Sequence, residues 1–200
     1  MDIEELRKNW ERQFVREEID RLREALQGYG ERRSIEIESE ISELKNAEHS
    51  SDHEQRMASL DDDRSFLPEL IKLGDELAIL ALYKKVEITR TRLLQNEIEE
   101  AKRIDLSNAR EIESRLRLDL SEIDGAYGVD ELRHLSNAIK HNGVVTKGLA
   151  SCGGWKVGEK LKDLGVEYES LAVEAEKYIR ALVDAIEAHK NKYEMAKATS

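Results

Sequence analysis

Residues Leu77-Ala78-Ile79-Leu80-Ala81-Leu82-Tyr83 form an unbroken apolar run in an otherwise polar chain. A helix that is apolar on every side is buried on every side, so this run is expected at the centre of a helical bundle. The pattern continues through Val86, Leu93, Leu94 and Ile98. A helix over 67–100 spans roughly 50 Å at about 1.5 Å per residue, long enough to kink. Its start is marked by Asp61-Asp62-Asp63 and Ser65 before Phe66, with Pro68 in the first turn. Acids suit the positive end of the helix dipole, and proline costs nothing where no N–H is needed.

Working outward, Ile3, Leu6, Trp10, Phe14, Val15, Ile19, Leu22 and Leu26 recur at three- and four-residue spacing, the period of an amphipathic helix. Gly28 and Gly30 are expected to end it. A second helix, with Ile37, Ile41 and Leu44 inward, weakens through Glu48 to Glu54. The two make an acidic N-terminal hairpin, residues 1–60, continuous with a bundle over 61–200. Past the central helix, Asp105 or Ser107 caps a helix carrying Ile112, Leu116 and Leu120, which Gly125-Ala126-Tyr127-Gly128 breaks. Asp130 then caps a short helix to His141, stopped by Asn142-Gly143, two residues tolerant of positive φ. Residues 143–165 hold six glycines and are expected as an ordered loop in which Trp155 and Val157 plug the bundle. The last helix covers Glu167 to Ala196, with Leu171, Ala175, Tyr178, Leu182 and Ile186 inward. The fold class is all-α: a helical bundle of five to seven helices with an N-terminal hairpin and a long glycine-rich loop before the last helix.

Composition points the same way. Charged residues reach 38% against about a quarter in ordinary domains. Aromatics are 5%, too few for an aromatic-rich β-sandwich or barrel. No run approaches the roughly 20 apolar residues of a membrane span, and Met1–Arg12 is charged and amphipathic rather than leader-like, so no membrane association is expected. Cys152 is the only cysteine; it forms no internal disulfide and suits a reducing, cytoplasmic setting. Residues 1–100 carry 16 Lys+Arg against 26 Asp+Glu, and 101–200 carry 16 against 17. So acidic a chain gives no strong DNA-binding signal. Lys140, Lys147, Lys156, Lys160 and Lys162 nevertheless stand against Glu159 alone within 140–162.

On a wheel of about 100° per residue, Leu132, Leu135 and Ile139 share the inward arc of the helix ending at His141. His134, Asn137 and His141 fall together on the opposite side. Arg133 lies one turn before Asn137, with Ser136 and Lys140 beside it. Histidine is the side chain that exchanges protons near neutral pH unaided. Lys140 and His141 also complement the dipole of a last helical turn, and Asn142-Gly143 is explained by capping alone.

The run Glu131-Leu132-Arg133-His134-Leu135-Ser136-Asn137-Ala138-Ile139-Lys140-His141-Asn142-Gly143 resembles the signature of the HEPN superfamily (higher eukaryotes and prokaryotes nucleotide-binding). That signature is an arginine, a polar residue, three to five further residues and a histidine near a helix end. Asn137 and His141 match the polar residue and the histidine. Ser136 stands where the family has arginine, and Arg133 lies eight residues before His141. The resemblance implies an all-α bundle that forms a homodimer or higher homo-oligomer and acts in prokaryotic defence or toxin–antitoxin systems. It implies binding of RNA or a protein partner, with no metal or other cofactor. It makes His141, Asn137 and Arg133 the catalytic candidates, and His134, Ser136, Lys140 and Lys147 the candidate RNA contacts. A metal-independent ribonuclease needs a base for the 2′-hydroxyl and a cation for the crowded phosphate. His141 supplies the first; Ser136 brings no charge for the second, so binding without strong catalysis is expected. The alternatives are an active ribonuclease using His141, and a helical scaffold whose acidic hairpin holds another chain.

Other constellations carry less. His49 and His53 have the i,i+4 spacing of a helical metal pair, without an HExxH glutamate or a third ligand. Cys152 beside Gly153-Gly154 is a nucleophile only if His134 or His141 serves as its base. The glycines of 143–158 lack the GxxxxGK[ST] pattern of a phosphate loop. Trp155 is alternatively a platform for base stacking.

Overall fold

The computed structural model describes residues 13–46 and 51–198. Six α-helices fill them: α1 (Glu17–Asn46), α2 (Ser51–Glu97), α3 (Ala109–Leu116), α4 (Ala126–His141), α5 (Lys147–Ala150) and α6 (Leu164–Ala198). A 3₁₀ turn covers Glu99–Arg103, and one isolated bridge joins Val144 to Lys160. The all-α class is as expected, and no helix among the described residues is long and apolar enough to cross a membrane. Residues Arg16–Ala78 form one compact unit; residues 13–15 and 79–198 belong to the other.

In the first unit, the expected turn at Gly28 and Gly30 does not exist, and α1 runs straight through both. A Cβ on Gly30 would come within 2.8 Å of Ile71, and one on Gly74 within 2.9 Å of Leu26. These glycines let two antiparallel helices approach; they do not end one. Pro68 likewise lies inside α2, which begins at Ser51 rather than near Phe66. An interior proline costs about 3 kcal/mol. The helix persists because its upstream turns are packed: Leu60 and Leu67 cluster with Ile37 and Ile41 of α1. Arg23 and Asp75 add a mostly buried ion pair at 2.6 Å. Phe14 to Arg16 are not helical, so the apolar pattern expected as one helix from Ile3 to Leu26 is interrupted before Glu17. Ile3, Leu6, Trp10 and His49 lie outside the described residues.

In the second unit, Ile79, Leu82, Val86, Leu93 and Leu94 of α2 are buried. The expectation that the 77–83 run is buried all round needs correction. Ala81 is exposed and Leu77 is 44% exposed, so the helix packs through one arc only. Helix α3 is capped by the Asn108 side chain, which accepts from the Arg110 N–H, rather than by Asp105 or Ser107.

Helix α4 begins at Ala126, four residues before the expected Asp130 cap, with Gly125 at φ 85° preceding it. A Cβ on Gly125 would stand 2.6 Å from the Glu174 carbonyl oxygen, and one on Gly128 would strike the Glu174 side chain. The glycines read as a helix break are instead the surface by which α4 lies on α6. Leu132 and Leu135 are fully buried there, as are Tyr168, Ala172, Ala175 and Ile179 of α6. Each buried leucine contributes about 1.5–3 kcal/mol relative to exposure. The loop after α4 also differs in its anchors: Val145, Leu149, Cys152 and Leu161 are buried, whereas Val157 is 58% exposed and plugs nothing.

Gly128→Ala tests this contact by its sign. At an open helical site the substitution stabilises by up to about 1 kcal/mol. Here the added methyl meets Glu174, and a loss of about 1–3 kcal/mol is expected. Urea unfolding measures it, and a stabilised variant would contradict the close approach.

Candidate functional site

Because Gly125 and Gly128 fix the roll of α4 on α6, the opposite arc of α4 is set as well. Tyr127, Asp130, Glu131 and His134 are spaced i, i+3, i+4 and i+7, so they form one stripe, continued by Asn137 and His141. The first half of the stripe meets the chain's own loop. The Tyr127 hydroxyl donates to the Cys152 carbonyl, and the Trp155 indole N–H donates to Glu131 Oε1 at 2.6 Å. His134 packs against Gly148 so closely that a Cβ there would lie 2.5 Å from the ring. Loop residues 146–152 are shaped for this role: the Thr146 hydroxyl caps the short α5 by accepting from the Leu149 N–H.

His134, Asp130 and Cys152 converge. Their nearest ligand-type atoms all lie within 4.8 Å of one another. His134 Nε2 is 3.6 Å from Asp130 Oδ2. Arg133 donates from Nε and Nη2 to Asp130 Oδ1, at 3.1 and 2.7 Å, and its Nη2 also lies 2.8 Å from His134 Nε2. Nε2 of His134 thus stands between the Arg133 guanidinium, which only donates, and the Asp130 carboxylate. Burial pushes the Cys152 thiol above its ordinary range, and Asp130 and Glu131 push it further, against a smaller opposing effect of Arg133. Cys152 and His134 are therefore neighbours, but the thiol points to the Gly148 carbonyl oxygen at 3.7 Å and the surroundings disfavour the thiolate that nucleophilic chemistry needs.

The second half of the stripe is open. His141 is exposed at the last residue of α4, and Asn137 is half-buried. Lys140 lies with its Nζ 5.8 Å from the centroid of the Tyr83 ring. Burial pushes the Tyr83 phenol up to about 12, with Glu87 adding to it, so a neutral ring faces the ammonium. Lys147 is exposed on the first turn of α5. Ser136 is a correction to the expected polar face: it is fully buried, and its Oγ has no hydrogen-bond partner among the described residues. On the wheel it follows Leu132 by i+4, which turns it to the core and out of reach of a ligand. Arg133 is likewise engaged with Asp130 and His134 and stands away from His141. A separate groove of about 450 Å³ runs along the end of α2, lined by Arg90, Arg92, Gln95 and Asn96 among others, and takes nothing from α4.

Sequence reasoning located the polar side of α4 but missed its partners. Asp130 was read only as a cap, and Tyr127 as part of a break. The signal available was the four-residue stripe itself, which appears once the helix is started at Ala126. No known protein family, curated protein or solved structure matches the chain.

The state of Cys152 has a direct readout. Alkylation by iodoacetamide near neutral pH is expected to be slow, with a rate that keeps rising beyond the ordinary thiol range of about 8.5. Mass spectrometry across a pH series measures it, and rapid neutral labelling of the folded chain would contradict the burial.

Proposed function

We propose that the chain is a HEPN-like helical module of prokaryotic defence or toxin–antitoxin type that binds RNA without strong catalysis. The observation that carries this is a run of exposed lysines that begins at the open end of α4. Lys140 is exposed beside His141 in α4, and Lys147, Lys156, Lys160 and Lys162 are exposed in the segment that follows. Phosphates of a single strand are held by such side chains with little demand on sequence. Weak catalysis follows from the missing cation: Ser136 is buried in the arginine's place, and Arg133 is tied to Asp130. His141 then has a base's chemistry but no partner charge for a crowded phosphate.

Fluorescence anisotropy with a labelled single-stranded oligoribonucleotide tests it. Binding is expected to weaken with salt, and Lys140→Ala or Lys147→Ala to reduce the log–log salt slope by roughly 0.7–1 each, with the RNA left intact. No binding at about 50 mM salt contradicts the proposal. Metal-free cleavage abolished by His141→Ala establishes the ribonuclease instead.

A second reading has its own support, in the helix pair of residues 16–78. Leu22 and Tyr29 of α1 and Phe66, Leu73 and Leu77 of α2 are 44–57% exposed. Each precedes an inward residue by one, and in an antiparallel pair this puts both rows on the same side. Such an apolar side suits a second copy of the chain. Sedimentation is expected to give a dimer that Leu73→Glu dissociates; a monomeric parent chain removes this reading.

A further inference from the structure

The convergence of Asp130, His134 and Cys152 joins residues that no sequence motif connects. The two α4 residues are one turn apart, and the third arrives from the loop 18 positions after His134. Thiolate, imidazole and carboxylate together are the donor set of a borderline-soft divalent ion such as Zn²⁺. We infer that Asp130, His134 and Cys152 form a binding site for one divalent transition-metal ion of the zinc class, which clamps loop 147–155 onto the start of α4.

The geometry supports this atom by atom. Zinc holds nitrogen and oxygen at about 2.0–2.2 Å and sulfur at about 2.3 Å, so neighbouring donors in a tetrahedral site lie roughly 3.3–3.6 Å apart. Asp130 Oδ2 and His134 Nε2 already stand at 3.6 Å. The whole triad lies within 4.8 Å, and the loop has to close by only about 1 Å. His134 Nε2 faces both Asp130 Oδ2 and Arg133 Nη2, and a neutral imidazole nitrogen there is the atom an incoming ion would take.

The surroundings supply the outer contacts that metal ligands need. Arg133 holds Asp130 through Oδ1 and leaves Oδ2 turned to His134. Only its contact with Nε2 is displaced when the ion enters. Gly148 lets the imidazole pack closely on α5, since any larger residue would strike the ring. Tyr127 fixes the Cys152 backbone from the same helix. The buried thiol resists ionisation by itself; a dication beside it reverses that preference. With three protein ligands, one coordination position remains for water or a ligand atom.

The site shares no residue with the proposed RNA contacts Lys140, Lys147 and His141, and its test reads metal rather than RNA. The full chain, stripped with chelator, is titrated with Co²⁺, whose thiolate complexes absorb in the near ultraviolet. One ion per chain with a thiolate-to-metal band is expected, and Zn²⁺ should bleach it. Cys152→Ser should remove the band, and His134→Gln and Asp130→Asn should each weaken binding by at least about 100-fold, beyond what an outer-shell change costs. His53→Gln should change nothing. Should Cys152→Ser fail to fold, protection of Cys152 from alkylation by Zn²⁺ in the parent chain, lost in His134→Gln, gives the same answer. The inference is overturned by the absence of a thiolate band at saturating Co²⁺ or by one ion shared between two chains. Unchanged affinity in both His134→Gln and Asp130→Asn overturns it equally.

Discussion

The close approach of α4 to α6 at Gly125 and Gly128 is the contact on which the arrangement of the second unit depends. Both positions face Glu174, and Gly125 faces Tyr178 as well, at distances no side chain could tolerate. A helix resting this tightly has no freedom to roll. Leu132 and Leu135 are driven inward, and the residues on the opposite arc, from Tyr127 to His141, are displayed in a fixed row. That row does two different things along its length. Its first half is joined to the loop through Tyr127, Glu131 and His134, and its second half is open at Asn137 and His141.

Much of the fold was legible in periodicity. Leu171, Ala175, Tyr178, Leu182 and Ile186 were read as the inward face of the last helix, and all five are buried. What failed was punctuation. Gly28, Gly30, Gly128 and Pro68 were taken as helix ends because isolated glycine and proline disfavour helix. At Gly30 and Gly128 a side chain of another helix, Ile71 or Glu174, occupies the space a Cβ would need, so packing outweighed a local penalty of about 1 kcal/mol. At Pro68 the surrounding apolar cluster outweighed a larger one. Local composition carries no trace of a neighbour that lies 40 or more residues away.

The candidate site was legible to the same degree. The polar arc of α4 follows from a helical wheel, and its outward position at His141 agrees with it. Ser136 was placed outward by its polarity, although the wheel sets it one turn after Leu132 on the inward arc; its buried hydroxyl has no partner among the described residues and costs about 1–3 kcal/mol. The sequence offered His134 or His141 beside Cys152 without deciding between them and did not connect Asp130, since the choice depends on the path of a glycine-rich loop in which Gly153 and Gly154 adopt positive φ. The distribution of cations ties these features together. Arg133 is consumed in holding Asp130 and His134, and five lysines beyond it remain exposed. The exposed cations of this part of the chain therefore begin at the open end of the row and continue into the segment after it.

The most direct measurement is a residue-resolved NMR titration of the isotopically labelled chain with a single-stranded oligoribonucleotide. Amide shifts gathered over Arg133–Gly143 and at Lys147, with 17–78 undisturbed, are the predicted result. Shifts confined to the helix pair of 17–78, or none at saturating RNA, would contradict the assignment of α4's open end as the binding face.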